Sequence, residues 1–262
     1  MAKIVKGTET DKWLPKNWRK STFPVLDQPA KTSNDIRGSA FLLQYNNKPY
    51  IVTASHVIET RNPVIAFSTK NRQVVSVDSS SLQQVGLSWV KHPAGLDLAS
   101  IPFILPLQIV EKLDLWLITE DKWTPQVEVK LDDKVAHLGY PERGTSNYFG
   151  GSPSLFPQAM PGKIIQINHP DIVMETAGAR GASGGPVFLR KENKSPFLVS
   201  VVTAAIMFGR PTRPMEAKYC NKTKSLAVSY LKDILESGKM KEQFERFGDK
   251  LVEIYRKMNP IK

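Results

Sequence analysis

The chain has 262 residues, a formal charge of +11, 41% apolar residues and a single cysteine, Cys220. That length holds one large domain or two modest ones around a sizeable core, and the composition excludes wholesale disorder. One thiol excludes an intramolecular disulfide framework and any cysteine-cluster zinc site.

The opening segment, MAKIVKGTETDKWLPKNWRK, has no apolar stretch of signal-peptide length. The longest apolar runs, near Leu98–Val110 and Phe197–Phe208, are broken by Ser, Thr, Gln or Pro. They fall short of the roughly 20 residues a membrane helix requires. The expectation is a protein with no membrane association and a cytoplasmic home, which the scarcity of cysteine also favours. Charge is unevenly placed. Residues 1–37 carry 8 basic and 4 acidic side chains, residues 38–209 carry 15 and 14, and residues 210–262 carry 13 and 7. The middle is close to neutral and the basic excess lies at the two ends. Such ends suit a solvated face, an acidic partner, an acidic membrane surface or nucleic acid.

From about residue 38 the chain reads as short strands. Gly38–Gln44 and Tyr50–Thr53 flank Asn46 and Asn47, a hairpin signal. Val64–Phe67 and Gln73–Val77 form a second expected pair. Asp97–Phe103, Lys134–Gly139, Lys163–Ile167, Ile172–Glu175, Pro186–Arg190 and Phe197–Val202 continue the series, spaced by Pro, Gly, Asn and Ser. No long helical period separates them, so the pattern predicts a sandwich or barrel rather than alternating strands and helices. Glu120–Val127 is the expected crossing between two halves. The period then changes: Leu226, Tyr230, Leu231, Ile234 and Leu235 suit one helix face, and after Ser237-Gly238 the residues Met240, Phe244, Phe247, Leu251, Ile254 and Met258 recur at spacings of 4, 3, 4, 3 and 4. That is an amphipathic helix with a stripe to bury. It packs on its own barrel or docks a regulatory protein partner.

Three short motifs carry chemistry. In Gly181-Ala182-Ser183-Gly184-Gly185-Pro186, glycines allow a tight turn that presents a hydroxyl and lets backbone N–H groups converge. A serine hydroxyl needs a neighbouring base to act as a nucleophile. All four histidines, His56, His92, His137 and His169, precede Ser183, which excludes the α/β-hydrolase order of nucleophile before base. Thr53-Ala54-Ser55-His56-Val57 directly follows an apolar strand, and Asp97 opens another. A carboxylate in that position is costly to bury without a partner. His56, Asp97 and Ser183 occur in one of the known triad orders. His92 reads as a loop residue and Cys220 as an ordinary loop thiol, while His137 and His169 read as structural residues.

These residues resemble the trypsin-like (chymotrypsin-fold) serine peptidases, nearest their minimal prokaryotic and intracellular branch with the HtrA-type protease domains. The likeness rests on GSAFLL…YIVTASHVI, DLAS, the Gly139-Tyr140-Pro141 of VAHLGYP, and GARGASGGPVF followed by FLVSVVTAA. The likeness runs from about Gly38 to Leu235 and implies a mostly β fold of two packed six-stranded antiparallel β-barrels, to which the helical period adds a C-terminal helical extension. The expected layout is a basic arm at 1–37, a first barrel at 38–119, a second at 120–224 and amphipathic helices at 225–262. It implies a Ser183–His56–Asp97 triad, an oxyanion hole from the Gly181 and Ser183 N–H groups, and no metal or organic cofactor. The substrate would be a protein or peptide.

Two positions depart from the resemblance. Ala182 stands where many members carry an acid that pairs with a freshly cut N-terminal amine, so that mode of activation is not expected. Ala177, at the floor of the implied substrate pocket, and Thr203, Ala204 and Ala205, along its wall, offer no carboxylate for Lys or Arg. The expected preference is a small or medium apolar residue before the cut, with Glu175 as the nearby acid that a rotated loop would bring in. Two other functions compete with an intracellular endopeptidase: a catalytically silent binding or scaffold protein on the same fold, and nucleic-acid binding through the basic arms. The second lacks zinc-finger, RRM or helix-turn-helix signatures; Trp13 and Trp18 among Lys12, Lys16, Arg19 and Lys20 are its nearest approach.

Overall fold

The segment Thr22–Leu26 forms strand β1 and pairs antiparallel with β2 (Ile36–Tyr45). The segment expected as a basic arm therefore contributes a strand. The computed structural model describes residue 10 and residues 13–27, 36–59, 62–71, 73–123, 127–140, 157–178, 181–191, 195–206 and 220–247. Pro24 hides this strand in the sequence, because proline removes a ladder donor. The structure tolerates it because β4 (Val64–Ser68) meets β1 only at Val25 and Leu26, beyond the proline.

Asn46 and Asn47 take φ of 47° and 59°, the left-handed pair that a two-residue hairpin turn requires. They join β2 to β3 (Lys48–Thr53) in the expected hairpin. Side chains alternate across each strand. Ala40, Leu42 and Ile51 face the core of the first sheet, while Phe41, Leu43, Tyr50 and Val52 face a second core. Both faces are covered, which is why this hairpin reads as a nearly continuous apolar run. β4 pairs with β5 (Val74–Asp78), and β3 pairs with β7 (Ala99–Pro102), which β6 (Val90–Lys91) flanks.

The remaining strands are β8 (Lys134–Gly139), β9 (Gln158–Asn168), β10 (Asp171–Gly178), β11 (Pro186–Leu189), β12 (Phe197–Ile206) and β13 (Cys220–Ala227). They close into a six-stranded barrel in the order β10-β13-β12-β11-β8-β9. The expectation of two six-stranded barrels needs correction. The first sheet has seven strands in the order β5-β4-β1-β2-β3-β7-β6 and is not closed by strand pairing. β6 is only two residues long, too short to carry a ladder on both sides. A side-chain bridge spans the gap: Trp89 Nε1–H, beside β6, donates to Ser79 Oγ, just after β5, at 3.1 Å.

A core shared by the two sheets holds them together. It contains Trp18, Phe41, Leu43, Leu98, Leu138, Phe188, Leu198 and Leu226. The helix Leu231–Leu235 and a second helix over residues 238–247 close it from the C-terminal side. Met240 is fully buried and Phe244 is 2% exposed, its ring 4.9 Å from that of Tyr50. The described part of the amphipathic stripe thus packs on its own protein; Leu251, Ile254 and Met258 lie outside the described residues. Among the described residues no helix is long and apolar enough to cross a membrane.

Candidate active site

β3 ends at Thr53 and the chain turns through a short 3₁₀ segment, Ser55–Ile58. Val57, 1% exposed, anchors this turn in the first core and leaves the His56 side chain open to solvent. Asp97 lies two residues before β7 and is anchored by the fully buried Leu98. His56 Nδ1 and Asp97 Oδ2 are 2.7 Å apart. The other carboxylate oxygen accepts from Ser55 Oγ at 2.7 Å and from the His56 backbone N–H at 3.0 Å.

These contacts tune both groups. The bond to Asp97 raises the His56 pKa, and desolvation opposes it. Burial acts to raise the Asp97 carboxyl, yet the hydrogen bonds from His56, Ser55 and the His56 amide outweigh it and hold the value at about 2. Asp97 is therefore an anion at neutral pH. It fixes the imidazole tautomer with the proton on Nδ1, so that Nε2 carries the lone pair of a base.

His92, read from sequence as a loop residue, braces the loop that presents Asp97. It is 4% exposed, its Nδ1 accepts from Ala94 N–H at 3.1 Å, and its Nε2 lies 3.3 Å from Asp233 Oδ2 on the C-terminal helix. The His92 backbone N–H also donates across the loop to the Leu98 carbonyl at 3.0 Å.

The serine turn comes from the other sheet. Gly181 has φ of 89°, and a Cβ there would collide with the Tyr140 carbonyl. That is a backbone shape glycine adopts at little cost. Gly184 packs against the end of β3, where an added Cβ would stand 3.0 Å from Ala54 N. The turn that carries Ser183 therefore abuts the turn that carries His56. Among the described residues, the N–H groups of Gly181 and Ser183 donate to no protein acceptor. Ser183 Oγ donates to the Thr203 carbonyl at 3.4 Å.

The expected pocket residues are only partly brought together. Ala204 and Ala205 are exposed on β12, while Thr203 is 6% exposed and its hydroxyl donates to the Lys224 carbonyl at 3.4 Å. The Ala177 backbone lies in β10, and its side chain falls outside the description. Glu175 is exposed on the barrel wall, 3.4 Å from Lys163 Nζ. Trp18 is buried and Trp13 half-buried against the shared core, so neither ring is presented for stacking on a base.

Sequence reasoning did not single out Ser39 or Ser55. The signal for Ser39 was a lone hydroxyl in an apolar strand, GSAFLL, and for Ser55 its place beside His56. Ser39 Oγ–H donates to the Gly181 carbonyl at 2.7 Å and accepts from Tyr140 N–H at 3.0 Å.

No curated protein matches the chain. A family model described as a trypsin-like peptidase domain matches residues 38–194, more than half of the chain. That span starts within β2, takes in His56, Asp97 and Ser183, and ends just beyond β11. The chain belongs to the family of trypsin-like peptidase domains.

Proposed function

We propose that the protein is an intracellular serine endopeptidase that works through an acyl-enzyme. The observation that carries this reading is the 2.7 Å pair between His56 Nδ1 and Asp97 Oδ2, set beside the glycine-shaped turn of Ser183. His56 Nε2 takes the Ser183 proton as Oγ attacks a peptide carbonyl, and returns it to the leaving amine. Asp97 holds the tautomer and stabilises the imidazolium. The N–H groups of Gly181 and Ser183 receive the oxyanion, where losing one such donor typically costs about 2.7–4 kcal/mol of barrier.

Beyond Val201, which pairs with Pro186, β12 runs on with β13 on one side. A substrate backbone can add there as a strand along Thr203–Ala205. Its N–H competes for the Thr203 carbonyl and frees the Ser183 hydroxyl to turn toward His56. Catalytic hydrogen bonds often tighten only in the complex. The chemistry requires no metal or cofactor.

A silent scaffold is the second reading, and the Ser183–Thr203 contact is the observation that favours it. Labelling with a fluorophosphonate probe separates the two. The peptidase reading expects labelling of the wild type that is lost in Ser183→Ala and His56→Ala. A well-folded wild type that stays unlabelled leaves the scaffold. A regulatory protein partner at the C-terminal helix remains part of the proposal only for surfaces other than the buried Met240 and Phe244.

A further inference from the structure

We infer that Ser39 is a positioning residue that holds the nucleophile turn in its reactive shape from within the chain; this rests on the serine-peptidase reading above. Ser39 is fully buried on β2, and each of its hydrogen-bonding groups is engaged. Its N–H donates to the Ser183 carbonyl at 2.7 Å. Its hydroxyl donates to the Gly181 carbonyl at 2.7 Å and accepts from Tyr140 N–H at 3.0 Å. Its own carbonyl accepts from Thr53 Oγ1 at 2.7 Å.

The strand geometry explains why Ser39 is available. The β2–β3 ladder begins at Phe41 paired with Val52, and β3 turns away after Thr53. The Ser39 amide therefore has no strand carbonyl on β3 to bond. The serine turn supplies one instead, so that Ser183 completes the ladder that β3 abandons.

The consequence for the turn is directional. Gly181 sits at φ 89°, a conformation that surroundings must select among others open to glycine. Ser39 pins the carbonyls of Gly181 and Ser183, at the two ends of the segment. The first carbonyl fixes the 181–182 peptide plane and the second the 183–184 plane, so the 182–183 plane that bears the Ser183 N–H is held between them. Ala182, at the middle, is 1% exposed and lies against Gly139, where an added Cβ would stand 2.9 Å from Ala182 Cα. The turn is thus clamped by residues of this chain without a charge at position 182. Positioning of the Ser183 N–H then requires neither trimming nor a partner.

The test uses the full chain and the rate of fluorophosphonate labelling, resolved into kinact and KI. Ser39→Ala is expected to lower kinact by roughly 10- to 100-fold, below the loss from removing an oxyanion donor outright. KI and the pH midpoint of labelling stay within about twofold of wild type, because His56 and Asp97 are not touched by the change. Ser39→Thr, which keeps the hydroxyl, restores most of the rate. A merely structural role would lower the melting temperature and leave kinact per folded molecule intact, which would overturn the inference. So would equal losses in the Ala and Thr variants. If Ser39→Ala does not fold, Ser39→Cys carries the same comparison with a weaker donor, and an unchanged kinact there overturns the inference. A wild type that shows no Ser183-dependent labelling removes the peptidase reading itself, an outcome distinct from failure of the clamp.

Discussion

The indole of Trp18 meets the ring of Phe188 edge-on, 4.7 Å between centroids and 86° between planes. Trp18 comes from the N-terminal segment and Phe188 from β11 of the closed barrel, so this contact ties the start of the chain to the strand that follows the serine turn. Edge-to-face pairs add to area burial. Trp18→Ala is expected to cost about 3–5 kcal/mol, as for other buried aromatic truncations. Calorimetry should show a melting point lower by on the order of 10 °C for a protein of this size. A change under about 2 °C would mean that the N-terminal segment is not part of the cooperative core.

The pair of His56 and Asp97 makes a pH prediction. Asp97 raises the His56 pKa, and catalysis needs the neutral imidazole. Activity should therefore rise with pH through a midpoint above the ordinary value of about 6.5. Asp97→Asn should lower kcat by about 10⁴-fold and move the midpoint down. The signs for stability follow from the same shifts. The Asp97 contribution is present above about pH 4, the ordinary carboxylate range, and is lost as pH falls toward its folded value of about 2. The His56 contribution is present below about pH 6.5 and is lost as pH rises through its folded value. Unfolding curves of wild type and Asp97→Asn across pH should converge at the acid end.

Gly181→Ala tests the turn. The added methyl would collide with the Tyr140 carbonyl and sit at φ 89°. The expectation is a fall in labelling of at least about 100-fold, comparable to loss of an oxyanion donor, with the far-UV circular dichroism unchanged. Full activity in this variant would place the oxyanion elsewhere.

Cleavage-site profiling on a peptide library tests the pocket. Glu175 pairs with Lys163 on the exposed barrel wall, and Ala204 and Ala205 are exposed on β12. Small or medium apolar residues should dominate before the cut. A majority of Lys or Arg there would show that a carboxylate reaches the pocket after all.

Where local pattern and tertiary structure agree, the reason is visible residue by residue. Asn46-Asn47 encodes its own turn through left-handed φ, and the strands around it alternate between two cores. Lys134–Gly139 falls where its apolar run places it. β13 was hidden because its inward residues, Thr223 and Ser225, are polar, and Ser225 is buried through hydrogen bonds to the Ile172 carbonyl and to Ser200. Its alternation does not look hydrophobic, so only its neighbours reveal it.

The sequence by itself determined which residues are the candidates for chemistry, their order along the chain and a mostly β fold. Those depend on residue type and on short periods, which are local. The tertiary structure decided what holds them. It put Ser39 under the serine turn, His92 under the Asp97 loop, Glu175 beside Lys163 on the barrel wall and Trp18 in the shared core. It also left the first sheet unclosed by strand pairing, because β6 is too short to bridge its edges. Such relations join distant residues, Ser39 and Gly181 being 142 positions apart. They arise from which backbone groups the packed strands leave unpaired, and no local pattern records that.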